Sequence, residues 1–120
     1  KKAEKLAQQK GVSITTVHAD LADYDFGTEQ WDCIVGIFCH FPPLVRSRVL
    51  SCIPESLKPG GVFILECYTP DQLNYKTGGP NSADWCYSSQ ILTEALGEKL
   101  SIQQNVELVR DVVEGTLHTG

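Results

Sequence analysis

Leu57-Lys58-Pro59-Gly60-Gly61-Val62-Phe63-Ile64-Leu65 holds the sharpest structural signal in the chain. Lys-Pro-Gly-Gly is a stop and a turn at once: proline cannot continue a helix, and paired glycines reach backbone conformations closed to other residues. The apolar run that follows, Val62 to Tyr68, predicts a buried strand. Upstream, Leu44, Val45, Val49, Cys52, Ile53 and Leu57 recur at helical spacing behind Pro43, which suits a first helical position. Pro54 falls inside that pattern and predicts a kink or a shortened last turn. Before the helix, Asp32-Cys33-Ile34-Val35-Gly36-Ile37-Phe38 is nearly all apolar, as expected of a central strand buried on both faces.

The same alternation extends in both directions. Lys1 to Lys10 reads as a helix with Ala3, Leu6 and Ala7 on one face and Gly11 as its stop. Ile14-Thr15-Thr16-Val17-His18-Ala19 is a β-branched run that predicts a strand, followed by a polar stretch from Asp20 to Glu29. Beyond the second buried strand, Thr69 to Ser88 is rich in Gly, Pro, Asn, Asp and Tyr and predicts a long loop of the lid or binding kind. Ser89 is placed to cap a helix carrying Ile91, Leu92, Ala95 and Leu96, and Ile102 to Val113 suits an exposed strand. Alternating helices and strands predict an α/β sheet with helical crossovers. Open sheets of that kind bind ligands outside the carboxyl ends of their strands. Attention therefore falls on Asp20 and Leu21, on Phe38 to His40, and on Tyr68 to Pro80.

Composition narrows the function. In 120 residues, 10 Lys and Arg face 15 Asp and Glu, a net charge of −5, and 42% of residues are hydrophobic. An acidic balance disfavours non-specific nucleic-acid binding, which needs clustered cations. The longest apolar run, Cys33 to Cys39, falls far short of the ~20 residues that span a bilayer. The chain opens Lys-Lys-Ala-Glu with no apolar leader, so a cytoplasmic protein with no membrane partner is expected. The 5 cysteines are odd in number and none are spaced Cys-x-x-Cys, which predicts reduced core thiols and no metal site. The first helix lacks a capping residue, and Gly115 to Gly120 reads as a turn into something further, so a fragment cut at both ends is expected.

Four segments together resemble class I S-adenosylmethionine-dependent methyltransferases: His18-Ala19-Asp20-Leu21; Trp31-Asp32-Cys33-Ile34-Val35; Leu57 to Leu65; and Glu114-Gly115 with His118. Ile37-Phe38-Cys39-His40-Phe41-Pro42 and Thr77-Gly78-Gly79-Pro80 are similar to the small bacterial branch near the tellurite-resistance and thiopurine methyltransferases. The resemblance implies a Rossmann-like three-layer αβα fold with S-adenosylmethionine as cofactor. That family's glycine-rich cofactor loop and its ribose-binding acidic residue have no counterpart here. Residues 1–120 therefore read as a partial methyltransferase domain, with the first two strands and the last strand missing. In the family's sheet order 3-2-1-4-5-7-6, Ile14–Ala19 and Asp32–Phe38 are strands 3 and 4, whose intervening neighbours are absent. Open apolar edges of this kind predict poor folding, re-pairing or self-association.

The resemblance also assigns residues. It implies that the Asp20 carboxylate accepts from the adenine amino group while the Leu21 N–H meets a ring nitrogen; a solvated or turn-capping Asp is the other reading. It implies that the backbone of Ile37 and Phe38 faces the cofactor's amino-acid portion, with both side chains in the core. His40 follows the central strand, where an acceptor would meet the sulfonium methyl. It would act there as a base or an orienting group, or else bond local backbone in the Pro42-Pro43 turn. Tyr75, Gly78 and Gly79 would line the acceptor pocket, or form a surface turn needing positive φ. Glu66 needs a partner near its strand end, Cys39 beside His40 is weak evidence for a nucleophile, and His18 reads as structural. His118 would approach the site from a last hairpin.

The expected function is methyl transfer to a small-molecule acceptor, extending to a soft sulfur, selenium or tellurium centre, with no nucleic acid and no metal. The fragment alone is expected to be inactive. The alternatives are a Rossmann-type nucleotide-binding oxidoreductase fragment and a non-catalytic module presenting open sheet edges to a partner.

Overall fold

A computed structural model describes residues 1–115 and 118–120. Its elements in chain order are α1 (Lys2–Gln9), β1 (Trp31–Ile37), α2 (Pro43–Ser56), β2 (Leu57–Glu66), α3 (Gln72–Tyr75), a 3₁₀ turn (Ala83–Trp85), α4 (Ser89–Leu96), β3 (Val113–Gly115) and β4 (His118–Thr119). The central unit is β1-α2-β2, with the strands parallel and paired Cys33 to Val62, Val35 to Ile64 and Ile37 to Glu66. β3 and β4 form a separate antiparallel pair.

Local chemistry explains most boundaries. Pro43 opens α2 at its first turn, where a missing N–H costs nothing. Pro54 is accommodated in the last turn, so the helix runs to Ser56 without being broken. The Ser88 Oγ accepts from the Ile91 N–H at 3.2 Å and caps α4, one residue before the serine expected from sequence. Gly11, at φ 67, ends the first helix. The Lys58–Gly61 turn is drawn into the start of β2, where the register slips between Trp31 and Cys33. Gly60 sits at φ 79, and a Cβ on Gly61 would lie 2.9 Å from the Lys58 carbonyl oxygen and 3.0 Å from that of Trp31. One glycine makes the turn and the next lets two carbonyls close in.

The core lies on one side of the sheet. Leu50 and Ile53 of α2, Leu57, Cys86, Tyr87 and Leu96 are buried, and Phe63 and Leu65 of β2 pack against Leu50, Tyr87 and Leu96. The opposite face carries Cys33, Val35, Ile37, Val62 and Ile64, all exposed. The expectation of a strand buried on both faces therefore fails for β1, as does the expectation that the Ile37 side chain is core: it is 48% exposed. Among the described residues no element covers that face.

Two predicted strands do not form. Ile14–Ala19 is exposed and joins no ladder, and Ile102–Val113 is without strand pairing until Val113. A β-branched run is a strand only where a neighbour offers a ladder; among the described residues no ladder is made by Ile14–Ala19, and Ile102–Val113 meets one only at its end, where Val112 and Val113 pair with Gly120 and Thr119. The Thr69–Ser88 loop is less irregular than expected, holding α3 and the 3₁₀ turn. All 5 cysteines are free, although Cys33 is exposed and so is not the small core residue predicted. The radius of gyration, 15.7 Å, exceeds the ~13.6 Å of a closely packed domain of this length.

The one-sided core sets a contrast in stability. Ile53→Ala is expected to lower the unfolding free energy by about 2–5 kcal/mol. Val35→Thr, on the bare face, should change it by less than about 0.5 kcal/mol. Urea denaturation followed by circular dichroism measures both; comparable losses would mean that both faces are packed.

Candidate functional site at the strand carboxyl ends

β1 and β2 end side by side, and the residues just beyond them form an aromatic cluster. The Phe38 N–H extends the ladder by donating to the Glu66 carbonyl at 2.8 Å, after which the chain turns sharply: Phe38 has φ 51. A bulky residue in the left-handed region is strained, and surrounding contacts must hold it there. Here the Phe38 ring stacks on Tyr68 with centroids 4.9 Å apart, and its carbonyl accepts from the His40 N–H at 3.1 Å.

His40 clasps three segments. Its Nδ1 lies 3.1 Å from the Trp85 carbonyl, and its Nε2 accepts from the Tyr68 N–H at 3.3 Å. An Nε2 that accepts leaves the proton on Nδ1, so these partners fit the neutral tautomer. The ring lies parallel to Tyr68 at 5.5 Å and meets the edge of Tyr87 at 5.8 Å. Burial pushes the His40 pKa below its ordinary value, opposed by the bond to Trp85. Both nitrogens are committed to backbone, and neither partner lies in the Pro42-Pro43 turn: Tyr68 and Trp85 are 28 and 45 positions away.

Arg46 and Tyr87 brace the cluster from behind. The Arg46 Nη1 donates to the carbonyls of Asp84 and Cys86, and its guanidinium lies 5.4 Å from the Tyr87 ring centre. The Tyr87 hydroxyl donates to the Cys39 carbonyl at 2.8 Å, and burial pushes its pKa up to about 12. Burial also holds the Cys67 thiol at about 12, which keeps it protonated at neutral pH.

In front of the cluster opens a cavity of ≈ 510 Å³, walled by Phe38, Tyr68, Gln72, Tyr75, Thr77 and Arg110 among others. Its size falls within the range of small-molecule sites. Arg110 pairs with the Glu66 and Glu114 carboxylates and ties the C-terminal segment to the end of β2. This answers the partner expected for Glu66. Tyr75 is 53% exposed at the rim.

Gly78 and Gly79 shape the loop. The Gly78 carbonyl accepts from the Gln72 amide at 3.3 Å, while Gly79, at φ 95, brings its backbone so close to Tyr68 that a Cβ would lie 2.9 Å from the ring. The structure thus joins Phe38 and Tyr75 at one cavity, with the glycines behind its wall. His40 lies beneath Tyr68, outside the lining.

Asp20 and Leu21 stand apart from that cavity. The Asp20 carboxylate accepts from the Ala22 N–H at 2.9 Å, its carbonyl accepts from Asp23 and Tyr24, and the side chain remains exposed. The Leu21 and Tyr24 carbonyls are pinned by Arg48 of α2 at 2.9 and 2.8 Å. His118 contributes its backbone to β4 and its side chain lies outside the described residues.

The residues that organise this site but escaped the sequence reading are Arg46, Tyr87 and Arg110; Tyr68 stood at the edge of a segment singled out there, without a role. Arg46 and Arg48 carried a signal: two arginines three residues from apolar helix positions must find acceptors where the helix is packed. Arg110 carried only its four-residue spacing to Glu114; its pairing with Glu66, 44 positions away, had no local signal.

A methyltransferase-domain family matches residues 1–61, from α1 through the Lys-Pro-Gly-Gly turn. The chain belongs to that family. No curated protein matches it. Membership brings a Rossmann-like fold, of which the parallel β1-α2-β2 unit is a part, and methyl transfer as the family's chemistry. No helix among the described residues is long and apolar enough to cross a membrane.

The fit to the family's usual cofactor, S-adenosylmethionine, is partial. Asp20 and Leu21 offer a carboxylate and a backbone N–H at an exposed turn, and Phe38 offers strained backbone at a strand end. A glycine-rich strand-to-helix turn, which would wrap the methionine portion, is not present in the 120 residues: Gly60 and Gly61 open β2 at its amino end, and Gly78 and Gly79 pack on Tyr68.

Two outcomes follow from the clasp and the loop. The unfolded chain binds a proton at His40 near pH ~6.5, whereas the folded chain resists it. The His40 contribution to stability is therefore complete above that pH and is lost as pH falls through the lowered folded pKa. His40→Gln should flatten the fall in stability that wild type undergoes below pH ~6.5, read from urea midpoints at a series of pH values. An unchanged slope would mean that His40 titrates freely. Gly79→Ala should cost about 1–3 kcal/mol through strain at positive φ and weaken the near-ultraviolet tyrosine signal.

Proposed function

We propose that the chain is the central and C-terminal part of a class I methyltransferase domain, of the branch resembling the tellurite-resistance and thiopurine enzymes. The whole domain moves a methyl group from S-adenosylmethionine to a small acceptor with a soft sulfur, selenium or tellurium centre. The observation that carries this reading is the cavity at the carboxyl ends of a parallel pair in a chain of the methyltransferase family. Among the described residues β1 and β2 pair only with each other, and this, with no glycine-rich strand-to-helix turn in the 120 residues, supports the partial-domain reading.

When bound, the cofactor supplies an electrophilic sulfonium methyl. The protein's share is placement. Asp20 and Leu21 would hold the adenine, the backbone of Ile37 and Phe38 would border the amino-acid portion, and Tyr75 would wall the acceptor with Gly78 and Gly79 fixing its loop. His40 orients the acceptor side by locking Tyr68. Removing a proton with Nε2 would require giving up the Tyr68 N–H. A soft anionic acceptor makes no such demand, because thiols already ionise near pH ~8.5. The acidic charge leaves nucleic acid a poor acceptor, and the same reading places the protein in the cytoplasm.

Calorimetric titration of S-adenosylhomocysteine into this chain and into a version extended at both ends tests the proposal. Binding is expected only in the extended form, with Asp20→Ala weakening it about tenfold, the equivalent of a charge-assisted hydrogen bond of ~1.4 kcal/mol. Two folded proteins that both fail to bind would overturn it.

A further inference from the structure

His40 is tied at its two nitrogens by bonds that respond oppositely to a proton. Nε2 accepts from the Tyr68 N–H at 3.3 Å, and Nδ1 donates to the Trp85 carbonyl, 3.1 Å away. An imidazolium carries an N–H on both nitrogens. Its charge strengthens the bond to Trp85 and the attraction to the Tyr68 and Tyr87 rings, at 5.5 and 5.8 Å. At Tyr68 the same proton sets N–H against N–H, so that bond is lost and a part-buried donor is left without its acceptor. Strain is stored next to it. Phe38 is at φ 51, and its stack on Tyr68 and the His40 N–H on its carbonyl help to hold it there. A bulky residue keeps such a conformation only while its surroundings enforce it. Phe38 and Tyr68 are both walls of the ≈ 510 Å³ cavity.

We propose that His40 is a proton-operated latch on this cavity. With the imidazole neutral, Tyr68 is fixed, Phe38 stays strained and the two rings stand together as a wall. With the imidazole charged, the Tyr68 N–H is released, Phe38 relaxes toward an ordinary turn and the Phe38–Tyr68 stack comes apart, while His40 stays on Trp85. The buried cluster of Leu50, Tyr87 and Leu96 makes no use of the broken bond and keeps its packing. The groups around the ring leave the switching to His40. The end of β2 brings Glu66, Cys67 and Tyr68; the 3₁₀ turn and its exit bring Asp84, Cys86 and Tyr87; α2 brings Arg46; and Cys39 precedes His40 in the chain. Burial pushes the Cys67, Cys86 and Tyr87 pKa values up, so these groups stay protonated as pH falls. Glu66 is paired with Arg110, and neither His40 nitrogen has a carboxylate partner. Arg46 lies 5.4 Å from the centre of the same Tyr87 ring that His40 meets, a like charge to an imidazolium. The latch stands on the clasp and the cavity and does not require the methyl-transfer reading.

Nuclear magnetic resonance of the isotope-labelled 120-residue chain, from about pH 8 down to about pH 5, tests it. At the upper end the His40 nitrogens should report the tautomer with its proton on Nδ1. Below pH ~6.5 the exchange protection of the Tyr68 amide should fall about tenfold per pH unit until the latch is open, because the closed form excludes the proton that the open form binds. The Phe38 backbone resonances should move with the same midpoint as His40, while the Leu50 and Leu96 amides keep their protection. His40→Gln supplies an acceptor and a donor without a titrating proton, and should hold Tyr68 protection constant over the range. Four results would each overturn the proposal. They are a proton on Nε2 at the upper end, Tyr68 protection that ignores the His40 titration, a fall that persists in the His40→Gln chain, and a loss at Tyr68 matched at Leu50.

Discussion

Whatever in this chain is ordered by packing depends on the parallel pairing of β1 with β2, and that pairing is closed by α2. Parallel strands cannot be joined by a tight hairpin, so the helix must cross over and bury a face on the way. It buries Leu50 and Ile53; Phe63 and Leu65 pack inside against the cluster of Leu50, Tyr87 and Leu96, while Val35, Ile37, Val62 and Ile64 stay outside. Two glycines make the return possible, one by its left-handed turn and one by the closeness of two carbonyls. The ladder then carries Phe38 one residue beyond β1, into the strained turn that begins the candidate site.

The legible parts of the fold were those written in local chemistry. Pro43, Gly11 and the Lys-Pro-Gly-Gly turn act within a few residues, so their meaning does not depend on distant partners, and α1, α2 and both central strands follow from them. Ile14–Ala19 and Ile102–Val113 have strand composition too, yet composition states only what a segment would do beside a neighbour. The burial of β1 was misjudged for the same reason: an apolar run shows that a strand can be covered on two faces, and only tertiary packing decides whether it is.

The site divides along the same line. Its location was legible, because strand carboxyl ends are where open sheets bind, and Phe38, His40 and Tyr75 all lie close to them. Its internal wiring was not. His40 acquires its character from Trp85, Tyr68 and Tyr87, residues 28 or more positions away, and no spacing rule connects them. Glu66 was recognised as needing a partner, but Arg110 could be found only in three dimensions.

The electrostatics of the cluster bear on what kind of chemistry it can serve. Burial holds the His40 imidazole neutral, the Tyr87 phenol protonated and the Cys67 thiol protonated, so each of the three titratable groups beneath the cavity favours its uncharged form. The hydrogen bonds of His40 and Tyr87 run to backbone, at Trp85, Tyr68 and Cys39. Such a floor holds Tyr68 and Phe38 in place, while the cavity's lining also includes the Asp71 and Asp111 carboxylates. A reaction whose electrophile arrives already charged on a cofactor, and whose nucleophile arrives already ionised or soft, asks for that kind of floor: contact and alignment supply the rate. A hard acceptor, such as an alcohol, would ask for a base; His40 could become one only by releasing the backbone it holds together, which leaves that task to the lining carboxylates of Asp71 and Asp111.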